Sequence, residues 1–66
     1  MHKYSVGQAV RAVRGKRDTM NPEPRYVGMV GTVALPMPAV AGEVYYKVSF
    51  GGGAVDFIDQ CNLEAV

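Results

Sequence analysis

The chain is 66 residues long, carries seven Lys and Arg against six Asp and Glu for a net charge of +1, and holds one cysteine, one histidine and no tryptophan. A single Cys61 excludes an internal disulfide, and with His2 alone beside it a Cys/His zinc site is excluded too. No run approaches the ~18 apolar residues of a membrane span, and Met1-His2-Lys3-Tyr4 lacks the apolar core of a signal peptide. The expectation is a cytoplasmic protein with Cys61 kept as a thiol and with no membrane partner. One domain over 1–66 is expected, with 1–3 as a loose tail. A fold this small hides only about 60% of its unfolded surface. Disulfides, a structural metal or a partner surface usually make up that deficit, and here self-association or docking is the route left.

The small net charge conceals an asymmetry. Arg11, Arg14, Lys16, Arg17 and Arg25 crowd the first half, while Glu43, Asp56, Asp59 and Glu64 dominate the second, opposed by Lys47. After the tail, Tyr4 to Gly7 leads into a first predicted strand, Ala9 to Arg14. Alternation there places Val10 and Ala12 inward and Arg11 and Val13 outward, with Val6 a plug before the turn. Gly15 to Pro24 is polar and holds two prolines that cannot donate to a ladder, so it reads as a loop. Arg25 to Leu35 reads as a strand bent by Gly28 and Gly31, because glycine inside a strand marks a bulge, a bend or the close approach of another backbone. Pro36 is expected to stop it.

Leu35 to Gly42 carries no charge, and its prolines exclude a central strand. This apolar loop either folds over the barrel mouth or presents its side chains to a partner. Glu43 to Phe50 is the clearest strand, with Tyr46, Val48 and Phe50 on one face and Tyr45, Lys47 and Ser49 on the other. Gly51-Gly52-Gly53 turns the chain into Ala54 to Ile58, where Val55 and Phe57 share a face. Asp59 to Asn62 has room for a single helical turn, and Leu63 to Val66 forms a last strand with Leu63 inside. Five short strands without a crossover helix must pair antiparallel and curl to hide their edges. The fold class is therefore all-β, a five-stranded antiparallel barrel with one short helical turn near the C-terminus.

Tyr4-x-Val6-Gly7-x-x-Val10-Arg11, Thr19, Pro24-Arg25-Tyr26-Val27, Gly31-Thr32-Val33, Tyr46-Lys47-Val48-Ser49-Phe50 and Leu63-Glu64 resemble, in that order, the C-terminal barrel of the nitrile hydratase β-subunit. That domain belongs to an SH3-like group with the photosystem I E subunit and the variable chain of ferredoxin-thioredoxin reductase, where a step similar to Val30 to Val33 recurs. The resemblance implies an SH3-like barrel serving as an accessory subunit, with Arg25 at a position close to the partner. The hydratase metal sits on a cysteine cluster of the α-subunit. This chain has no such cluster, places Met20 where an arginine often follows the family's threonine, and lacks the usual Trp. The Gly7-x-x-Val10-Arg11 opening and the Val55 to Glu64 spacing are also similar to plasmid-borne type II dihydrofolate reductase, an enzyme only as a tetramer. Its pore segment, Val-Gln-Ile-Tyr, is replaced here by Val55-Asp56-Phe57-Ile58, and four converging Asp56 carboxylates would repel one another.

No catalytic residue, metal ligand or cofactor site is assigned. Asp56 and Asp59 read as surface charges, and Cys61 as a small, partly buried residue without a histidine partner. The expected function is a non-catalytic small barrel that docks on a larger enzyme or on itself, as a homo-oligomer or hetero-complex. Its interface is assigned to Leu35, Met37, Val40 and Tyr45. The alternatives are the tetrameric reductase and binding of RNA or single-stranded nucleic acid. In the latter, Arg14, Lys16, Arg17 and Arg25 would grip phosphates beside Tyr26 and Tyr4.

Overall fold

The clearest alternation of apolar and polar side chains, Tyr45 to Phe50, coincides with a strand in which buried residues alternate with half-buried ones. The structure is a computed structural model that describes residues 2–15, 22–38 and 44–66. Five strands, β1 (Ala9–Ala12), β2 (Val30–Pro36), β3 (Tyr45–Gly51), β4 (Ala54–Asp59) and β5 (Leu63–Ala65), build one sheet in the order β4-β3-β2-β1-β5. All four ladders are antiparallel. The all-β class and the helical turn near the C-terminus, a 3-10 turn at Gln60–Asn62, match the sequence expectation. The closed barrel does not: among the described residues no ladder joins β4 to β5, so these are the two edges of an open sheet.

Side chains contributed by all five strands still share one core. Val10, Ala12, Val33, Tyr46, Val48, Ile58 and Leu63 pack with Tyr4 and Tyr26, and Val44, Phe50 and Ala54 lie half-buried against them. The N-terminal segment links parts of the sheet that no ladder joins. The Tyr4 hydroxyl donates to Leu63 O of β5 (3.1 Å), and the Tyr4 N–H donates to Tyr46 Oη of β3 (3.0 Å). Lys3 N–H also donates to Tyr46 Oη (2.7 Å) and to Gln60 Oε1 (2.8 Å), so Lys3, expected in a loose tail, is tied to the core. Val6, expected as a plug, is 63% exposed; Tyr4 fills that place, because the Ser5–Gln8 turn, closed by Gln8 N–H to Ser5 O, carries Val6 outward.

Strand boundaries moved for identifiable reasons. β1 ends at Ala12 because the next donor, Val13 N–H, goes to Asn62 O in the 3-10 turn (2.9 Å). The long bent strand from Arg25 divides: Pro24–Tyr26 is a 3-10 turn, begun by a proline whose missing N–H costs nothing there, and β2 starts only at Val30. Gly28, at φ +90°, makes the intervening turn. Inside β2 the register shifts between Val33 and Leu35, so Ala34 and Leu35 both face outward and Pro36 returns toward the core. Cys61 is exposed rather than partly buried.

β4 is an edge strand, and edges invite pairing with other chains. Asp56 occupies part of this one: its Oδ1 accepts the Phe57 N–H (2.9 Å) and its Oδ2 accepts the Glu23 N–H (3.0 Å), which also pins the start of the Pro24–Tyr26 turn. Asp56→Ala should therefore cost about 1 kcal/mol and lower the melting temperature by roughly 4–8 °C. An unchanged calorimetric melt would show that water replaces both bonds without loss.

Candidate docking face

The pairing register lays side chains in rows across the outer face of β2, β3 and β4. One row is Leu35–Lys47–Phe57, and the next is Thr32–Ser49–Val55. Leu35, Phe57 and Val55 are 50%, 48% and 41% exposed, an unusual amount of large apolar side chain on one side of so small a sheet. Beside the first row lies an open apolar groove of ≈ 290 Å³ lined by Met37, Pro38, Tyr45 and Phe57. Its wall is held by the Met37 N–H donating to Tyr45 O (2.9 Å), and His2 Nε2 lies 2.8 Å from Met37 O.

Of the residues assigned to an interface, Leu35, Met37 and Tyr45 come to this side of the molecule; Val40 lies outside the described residues. Leu35 stands at the end of β2 rather than in a loop, and the bulge at Ala34 is what turns it outward. Phe57 was not singled out from the sequence. The signal was present in Phe57-Ile58, two consecutive large apolar residues in a strand, of which one must face outward. Ile58 is the buried one.

Of the four basic residues expected to grip phosphates, Arg14 and Arg25 are described. Arg14 is exposed just past β1, and Lys16 and Arg17 lie outside the described residues. Arg25, in the first 3-10 turn, spends its Nε on Glu23 (3.1 Å), and its guanidinium carbon stands 4.8 Å from the Tyr26 ring centre. Tyr26 in turn stacks on Phe50 (centroids 4.4 Å apart, planes at 7°). Tyr4 and Tyr26, expected to offer stacking platforms for bases, are buried. The two acidic residues near the end of β4 are engaged separately: Asp56 as described, and Asp59 by accepting the Cys61 N–H (3.0 Å) as the cap of the second 3-10 turn.

Among the described residues no group of three or more His, Cys, Asp and Glu could hold a metal ion, and no helix is long and apolar enough to cross a membrane. Comparison with protein-family models, with curated proteins and with solved structures found no match to the chain.

Proposed function

We propose that this chain is a non-catalytic interaction module of SH3-like type that docks, onto a larger protein or onto copies of itself, through the outer face of β2, β3 and β4. The observation that carries the reading is the exposed pair Leu35 and Phe57 on this outer face, beside an open apolar groove lined by Met37, Pro38, Tyr45 and Phe57. A core built from so few side chains gains by covering such a face, because apolar area removed from water contributes about 25 cal/mol per Å². The strand order, with a 3-10 turn between β4 and β5, supports the SH3-like assignment. An accessory role like that of the hydratase β-subunit follows from the same assignment. A lone exposed thiol at Cys61 fits work in the cytoplasm.

The test pairs light scattering of the full chain with its retention of partners from an extract of the source cells. The wild type should form a dimer or larger species, or hold a defined protein. Phe57→Asp and Leu35→Asp, folded by circular dichroism, should lose that association at least about tenfold, as removal of an interface anchor does. A monomer that holds nothing, or variants that hold the same partner as well as the wild type, would refute the reading.

A further inference from the structure

Lys47 stands in the middle of the apolar row, paired across β3 with Leu35 on one side and Phe57 on the other. It is half-buried. The ion pairs formed among the described residues are Arg11–Glu64 and Arg25–Glu23, and neither reaches it; no carboxylate of the described residues pairs with Lys47. Asp59, opposite Tyr45 one row along, is buried and caps the 3-10 turn. Among the described residues, then, the charge that the outer face of β2, β3 and β4 presents is Lys47, a cation flanked across the strands by Leu35 and Phe57.

Resting on the docking reading above, we infer that the partner of this face is a protein segment carrying a carboxylate flanked by apolar residues, the carboxylate seating on the Lys47 ammonium. An apolar partner without that charge would cover an unpaired cation, and burying a charge without a counter-ion is costly. Pairing it gives register and specificity as well as attraction. A second copy of the chain is the wrong occupant. A two-fold interface places the same patch on both sides, and a patch centred on Lys47 would bring two ammonium groups together. A small molecule is also a poor fit, because ligand sites enclose most of their ligand and this groove opens onto a flat face. Strand addition is obstructed at β4 by the Asp56 carboxylate on the Phe57 N–H. Side chains laid across the face remain as the mode of contact.

The experiment is selection of a random displayed peptide library on the full chain, run in parallel on Lys47→Met and Lys47→Glu. Wild-type selection should enrich peptides with Asp or Glu between apolar residues. Their affinity should fall about tenfold on Lys47→Met, a factor equivalent to ~1.4 kcal/mol, and should weaken as salt is raised. Lys47→Glu should enrich Lys or Arg at the same place. Enrichment of apolar peptides with no acidic preference, unaffected by Lys47→Met, would overturn this inference while leaving the docking reading intact. Failure to enrich any peptide on the wild type would overturn both. A wild-type dimer abolished by Phe57→Asp would leave docking standing and overturn the assignment of its partner.

Discussion

Gly31→Ala should lower the melting temperature by roughly 10–20 °C, corresponding to a loss of about 2–3 kcal/mol. Gly31 sits buried in β2 opposite Val10, and a Cβ built there would lie 2.7 Å from Ser49 O, 2.8 Å from Val48 Cγ1 and 2.9 Å from Phe50 Cδ1. The two side chains could rotate away, but the Ser49 carbonyl belongs to the β3 backbone, whose partner is Thr32 of β2. Relief therefore means separating the two central strands. Gly52→Ala is the control, since Gly52 has open space around it but holds φ +59°. Its cost is conformational, about 1–2 kcal/mol, and Asn, which tolerates that conformation, should recover part of it. At position 31 Asn should be worse than Ala. If Gly31→Ala melts within a degree or two of the wild type, β2 and β3 are not as close as described.

Gly31 also shows how far the sequence could be read. Its place within an apolar run marked a bulge, a bend or a close approach of backbones, of which the close approach is the one found at Gly31, and the alternation of Tyr46, Val48 and Phe50 separated the two faces of β3. Both signals are local, and local periodicity determines which side of a strand is wet. What escaped depended on neighbours far along the chain. The bulge at Ala34 reverses the facing of Leu35 without any glycine to mark it, because it is a mismatch between β2 and β3 rather than a property of either. Val55 and Phe57 share a face as expected, but only the pairing with Ser49 and Lys47 shows that this face is the outer one. The candidate site was thus legible as residue types and half legible as geometry: Leu35, Met37 and Tyr45 could be named, whereas Phe57 and the central place of Lys47 needed the register. Closure of the barrel was inferred from the need to hide edges, and the chain meets that need differently, with Asp56 over part of one edge and Tyr4 bonded to β5 at the other.

Tyr46→Phe should cost about 1–3 kcal/mol and free the first residues of the chain. The ring itself is retained, and with it the edge-on contacts to His2 (5.3 Å) and Tyr4 (5.5 Å), so the variant isolates the hydroxyl. That oxygen accepts the N–H groups of Lys3 and Tyr4 and donates to Gln60 Oε1. Lys3 keeps a second acceptor in Gln60, but the Tyr4 amide is left in a buried position with no partner. Because Tyr4 also fills the core and bonds to β5, its release loosens the contact between β3 and β5. Hydrogen exchange should show the Tyr4 amide losing protection by a factor larger than the global destabilisation explains, while amides of β2 and β3 follow the global change alone. In a double-mutant cycle with Gln60→Ala the two changes should be non-additive by about 0.5 kcal/mol or more. Additive effects, or a Tyr4 amide as protected as in the wild type, would show that the N-terminal segment is held by its ring contacts and not by the hydroxyl of Tyr46.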